Sequence, residues 1–148
     1  MLGALTRYPD MFAAGASYYG IGNLATLASI THNFESHYTD RLIGEKFDPQ
    51  TSSDPQSLYV RRSPVSHFEN LRSPVILFQG AEDRVVPPAL SREVADALAR
   101  RKIFHRYVEF PGEGHGFRDP ENRAEALRCE VEFYREIQAG VVMNDSNV

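Results

Sequence analysis

The sequence predicts an α/β domain: about three parallel strands, two long covering helices and an irregular segment laid over one end of the sheet. Three observations predict it. Three short apolar runs have the length and residue types of buried strands, and a helical pattern separates the second from the third. Gly-rich loops carrying an acid and a histidine follow the second and third runs, the edge where parallel sheets place their chemistry.

The first run is Phe12 to Tyr19, the second Pro74 to Gly80 and the third Arg106 to Phe110. The second is nearly continuous in β-branched and large apolar residues, as a strand covered on both faces should be. After it, Pro87 and Pro88 suit a first helical turn, where their missing N–H groups would be unpaired anyway. Leu90, Val94, Ala97 and Leu98 then share one helix face. Arg100, Arg101 and Lys102 suit the negative end of that helix's dipole. Strand, crossover helix and strand imply a right-handed βαβ unit.

A second long helix should follow the third run, with Asp119 as N-cap, Pro120 at the first helical position and Gly140 as its stop. Its expected buried stripe is Ala124, Leu127, Val131 and Tyr134, with Cys129 just off it as a small filler. The middle, from about Ile21 to Leu71, is rich in Ser, Thr, His, Asp and Pro. Short helices are expected there over Glu35 to Ile43 and Gln56 to Val60, in a segment long enough to be a functional cover. Residues 1–140 are expected to form one partial domain and 141–148 a frayed tail.

Composition narrows the classes. A hydrophobic share of 42% and a charged share of 24% are those of an ordinary soluble domain. The net charge of −4, with only short basic clusters at Arg61-Arg62 and Arg100-Arg101-Lys102, argues against a nucleic-acid partner. One cysteine, Cys129, cannot make an internal disulfide. No run approaches the roughly 18 apolar residues of a membrane span, and no basic region precedes an apolar stretch at Met1. The expectation is a cytoplasmic product away from membranes.

The chemistry lies in Gly80-Ala81-Glu82-Asp83-Arg84-Val85-Val86-Pro87-Pro88 and in Pro111-Gly112-Glu113-Gly114-His115-Gly116-Phe117. An acid and then a histidine, on successive strand ends, is the order of an α/β-hydrolase triad. The imidazole would take a proton from a serine hydroxyl and return it to the leaving group, while the carboxylate fixes the ring's tautomer. Alone, the histidine loop could be a structural turn and Asp83 a helix cap; their pairing favours catalysis. Glu113 reads as a solvated loop residue rather than a second acid. Arg84 reads as an ion-pair partner near the site, with a substrate carboxylate as its sharper alternative. His32 and His37 are five residues apart and would face different sides of a helix, so neither a metal nor any other cofactor is expected.

Ala13 to Gly20, Gly80 to Pro88 and Gly112 to Phe117, in this order, resemble the prolyl oligopeptidase family, within it the acylaminoacyl-peptidase and dipeptidyl-peptidase-like branch. Phe34-Glu35-Ser36 to Tyr38 and Arg62-Ser63-Pro64 resemble that branch's linker, and the resemblance runs from about Leu2 to Ile137. It implies the C-terminal half of an α/β-hydrolase fold and a serine hydrolase of short peptides, with Asp83 as triad acid and His115 as base. The departure is equally informative. No Gly-x-Ser-x-Gly nucleophile elbow occurs, and Met1 to Arg7 resembles the tail of the helix that should follow one. The family's propeller and the first five strands of its sheet have no counterpart here. Ser17, in Gly15-Ala16-Ser17-Tyr18-Tyr19, lacks the second glycine of an elbow and is not expected to attack. The chain alone is therefore expected to be inactive. Its open sheet edge leaves room for a missing N-terminal half or a second copy as partner. Two rival readings remain at this stage: a non-catalytic or complementing module, and an esterase or dienelactone-hydrolase-like enzyme of the same fold.

Overall fold

The strand Val75–Gly80 is buried at every position, and the domain is arranged around it. The computed structural model describes residues 1–31 and 38–140. In chain order its elements are α1 (Leu2–Arg7), β1 (Gly15–Tyr18), α2 (Leu24–Thr31), α3 (Tyr38–Ile43), α4 (Leu58–Arg62), a 3₁₀ helix (Pro64–Asn70), β2 (Val75–Gly80), α5 (Pro88–Arg100), β3 (His105–Phe110) and α6 (Pro120–Gln138). The strands form one parallel sheet in the order β1-β2-β3. Gly15 lies opposite Val75, and Val75 opposite His105, so all three strands end on the same side.

Alternation along β2 explains the layers, since successive side chains point to opposite faces. Val75 and Leu77 join Leu2, Leu5, Phe68, Leu71, Val94 and Leu98 in a core beneath α1, the 3₁₀ helix and α5. Ile76 and Phe78 join Phe110, Ala126 and Phe133 beneath α6. Each fully buried large side chain contributes about 1.5–3 kcal/mol, so two helical layers on one strand give this sheet its stability.

The expected strand at Phe12 to Tyr19 is shorter than its apolar run. Only Gly15–Tyr18 is strand; Met11 and Phe12 are exposed. The crossover helix starts at Pro88 with Pro87 as N-cap and buries Leu90, Val94 and Leu98, as the spacing predicts. Asp119 caps α6 by accepting the Glu121 amide at 2.8 Å, an interaction worth about 1 kcal/mol.

The stripe of α6 is corrected. Its buried residues are Ala126 and Phe133, with Cys129, Tyr134 and Ile137 packed beside them. Leu127 is 61% exposed and Val131 is also exposed, and Ala124 lies on that outer side too. The helix is rotated about one position from the expectation, so that the bulky Phe133 reaches the core, stacked on Phe104 at 5.8 Å between ring centroids. Cys129 thus belongs to the packed stripe rather than beside it.

The middle segment is more regular than its composition suggests. α2 lies where a loop was expected, and α4 spans Leu58–Arg62 rather than Gln56 to Val60. Ala28, Ile43, Phe47 and Tyr59 form a small core of its own. Of the helix expected over Glu35 to Ile43, Tyr38–Ile43 is helical; Glu35 to His37 lie outside the described residues, as do His32, Phe34 and the tail from 141 to 148. Among the described residues no helix is long and apolar enough to cross a membrane.

Candidate active site

Asp83 and His115 meet at the carboxyl ends of β2 and β3. Register does this: Gly80 lies opposite Phe110, so the loops after each strand leave side by side. The loops are laced together by Ala81 N donating to the Phe110 carbonyl at 3.0 Å and Glu82 N donating to the Glu113 carbonyl at 2.8 Å. Gly80 permits the approach. A Cβ there would lie 2.4 Å from the Gly114 oxygen and 2.5 Å from the Glu113 oxygen, a backbone collision with no side chain to move away. Gly112 and Gly116, with φ of 75° and 95°, take the left-handed turns that carry the chain around His115.

His115 Nδ1 lies 2.9 Å from Asp83 Oδ2. The Asp83 side chain is fully buried while that of His115 is 43% exposed, so the pair reaches from the interior to the surface. Asp83 Oδ1 accepts the Val85 and Val86 amides, each at 2.9 Å. These bonds fix the orientation of the carboxylate. An ionised Asp83 makes Nδ1 the protonated nitrogen, leaving the Nε2 lone pair free. Among the described residues none bonds to Nε2.

Gln79 completes the support, although by sequence it is only a residue of the second strand. It is fully buried, and its amide Nε2 reaches the Val86 carbonyl at 3.0 Å, the Gly80 carbonyl at 3.2 Å and Asp83 Oδ2 at 3.3 Å. Its Oε1 accepts from Ser91 Oγ at 2.6 Å, tying the Asp83 loop to α5. A buried amide needs partners, and a polar residue at the end of an otherwise apolar strand is the signal that could have found it.

Glu113 corrects its expectation. It is buried rather than solvated, accepting the Arg118 amide at 2.8 Å, the Asp119 amide at 2.9 Å and Asn122 Nδ2 at 2.9 Å. It fastens the His115 loop to the start of α6. The Arg118 amide foremost, then Asn122, hold its carboxyl below the ordinary carboxylate value. Arg84 is also corrected: it is exposed and makes no ion pair among the described residues. With Glu82, Gly112, His115, Arg118 and Asn122 it lines an open groove of about 630 Å³. Among the described residues, none of the middle segment lines that groove.

Tyr19 is a second residue the sequence did not single out. It follows β1 with φ of 54°, a left-handed conformation that costs a tyrosine about 1–3 kcal/mol. Its hydroxyl accepts the Phe117 amide at 2.9 Å, and its ring centroid lies 4.8 Å from that of His115. Ser17 sits two residues earlier, buried within β1 with its Oγ against Gly20. It lines a different cavity, with Met1, Leu2 and Ile21, and makes no bond to His115.

The family model for the prolyl oligopeptidase family matches residues 1–140. The chain belongs to that family. Dipeptidyl aminopeptidase BIII of Pseudoxanthomonas mexicana is 36% identical over 121 residues, 82% of this chain and 17% of that protein. Dipeptidyl peptidase family member 6 of Caenorhabditis elegans is 31% identical over 122 residues, 82% of this chain and 16% of that protein. Among solved structures, a puromycin-hydrolyzing peptidase of Mycobacterium tuberculosis matches with a TM-score of 0.80 and 38% identity, over 97% of this chain and 20% of that one. The chain thus spans about a fifth or less of the relatives it matches. Its three parallel strands and covering helices are those of the family's C-terminal α/β-hydrolase region.

Proposed function

We propose that the protein supplies the acid and base of a serine peptidase that removes dipeptides or acylated residues from short peptides, with Asp83 as triad acid and His115 as base. The observation that carries this is the 2.9 Å contact between a fully buried carboxylate and a half-exposed imidazole, at adjacent parallel strand ends. Nε2 takes the proton of a serine hydroxyl as its oxygen attacks the scissile carbonyl, then returns it to the departing amine. The ionised Asp83 stabilises the imidazolium formed in between. Water repeats the cycle on the acyl-enzyme and frees the serine.

The attacking serine comes from residues outside this sequence. No Gly-x-Ser-x-Gly occurs in it, and Ser17 is held away from His115. The test is coexpression with the polypeptide encoded upstream, followed by assay on chromogenic dipeptidyl and acyl-aminoacyl amides. Hydrolysis lost on His115→Ala, by roughly 10⁴-fold or more, supports the reading; hydrolysis that survives the substitution overturns it. Turnover of aryl esters without any amide would favour the esterase reading instead. The single cysteine suits a cytoplasmic setting, which belongs to the same proposal.

A second reading has one observation in its favour. β1 is an edge strand, and the apolar Met11, Phe12 and Tyr18 around it are exposed. Unpaired edges invite strand addition, so a complementing or non-catalytic module would dock here. Binding of the upstream polypeptide without any hydrolysis would select the non-catalytic form.

A further inference from the structure

We infer that Tyr19 is a positioning residue for His115, its ring packed against the imidazole so that it helps Asp83 fix the ring's orientation. The inference rests on the acid–base reading of Asp83 and His115, and concerns what holds that pair in register.

Four observations meet at Tyr19. It follows β1, the strand farthest from the His115 loop, and its left-handed backbone turns the chain out of strand geometry. Its amide still donates to the Phe78 carbonyl at 2.9 Å, so the turn is anchored to the central strand. The hydroxyl then accepts the amide of Phe117, two residues after His115. The ring packs against both residues, with centroids 4.8 Å from His115 and 5.1 Å from Phe117. Phe117 is itself wedged on Phe110 at 4.7 Å, which closes the loop onto the end of β3.

Geometry makes this more than general packing. An imidazole bonded through one nitrogen can still swing about that bond, and Nε2 moves with the swing. Asp83 sets one end of the ring. The Tyr19 ring, tilted at 48° against the imidazole, obstructs that swing on one side, and the Phe117 amide bond holds the ring to the loop. Burial, aided by the nearby Asp83 and Glu113 carboxylates, pushes the Tyr19 phenol above its ordinary value, so it stays neutral. Strain held at one residue is tolerated where the surrounding contacts over-determine it. Here the hydroxyl bond and the two closest ring contacts lead to the histidine loop.

The experiment uses the chain itself, labelled with ¹⁵N in its histidine rings. The spectrum of His115 is compared in the parent, Tyr19→Phe, Tyr19→Ala, Asp83→Asn and Tyr59→Phe. Tyr59 is buried and its hydroxyl donates to Asp40 in the middle segment's core, so its variant controls for loss of a hydroxyl bond elsewhere. The expected parent ring is one tautomer, protonated at Nδ1. Tyr19→Phe should keep that tautomer with several-fold faster exchange of the Nδ1 proton, and Tyr19→Ala should mix the tautomers. Tyr59→Phe should leave the ring signals in place. Folded Tyr19 variants with the parent's His115 spectrum would overturn the inference, as would an equal response in Tyr59→Phe. If Tyr19→Ala does not fold, Tyr19→Phe decides alone. An unchanged spectrum in Asp83→Asn is a different failure: it removes the acid–base reading itself and the inference with it.

Discussion

The two oxygens of Asp83 serve different partners, and this division sets what a substitution there does. In Asp83→Asn the amide oxygen would stay on the Val85 and Val86 amides, leaving the new NH₂ against Gln79 Nε2 and His115 Nδ1. Nδ1 would then have to accept, and the ring proton would move to Nε2, where it blocks the base. In the complemented enzyme kcat should fall by about 10⁴-fold with little change in KM. The pair itself was legible in the sequence, because a strand end followed by a Gly-rich loop fixes where a side chain emerges. Glu113 was not, since its three donors come from a helix start whose direction only the fold sets. Its native carboxyl titrates below the unfolded one, so its contribution is present above the ordinary value of 4.5 and is lost as pH falls through the lower native value. Melting curves of the parent and Glu113→Gln should therefore differ clearly at pH 7 and converge at strongly acid pH. A difference that grows on acidification would contradict that sign.

At the scale of elements, α6 shows where periodicity misleads. Leu127 and Val131 look like core residues by hydropathy, yet the helix turns Ala126 and Phe133 inward instead. Ala126 is small enough to let the helix approach the sheet, and the large ring of Phe133 fills the space beside Ile76 and Phe78. Urea unfolding should give about 3–5 kcal/mol of destabilisation for Phe133→Ala and no more than about 0.5 kcal/mol for Leu127→Ala. The reverse order would restore the stripe expected from spacing. β2 and α5 were readable because every position agrees: a continuous apolar run, paired prolines at the helix start, and leucines and valine on one face. Gly80 is the hinge between element and site. Gly80→Ala must push the backbone of Glu113 and Gly114 away, costing about 1–3 kcal/mol and parting His115 from Asp83. The same His115 ring signals would reveal the separation, and an unaltered ring would contradict it.

For the whole molecule, one edge of the sheet and one face of α6 carry apolar surface that nothing among the described residues covers. The sequence conveyed the architecture well, since strand–helix–strand order and three motifs point to one fold. It conveyed the middle segment poorly: α2 has neither an acid in its first turn nor a base in its last, so few helix-end signals announce it. On the proposed reading, this chain holds a triad's acid and base while the serine lies elsewhere. The most direct measurement is labelling by a fluorophosphonate probe, applied to the purified chain and to its complex with the upstream polypeptide. No labelled serine is expected in the chain alone, and one is expected in the partner, within Gly-x-Ser-x-Gly, whose labelling disappears with His115→Ala. A label on Ser17 or any other serine of this chain, or partner labelling indifferent to His115, would contradict it.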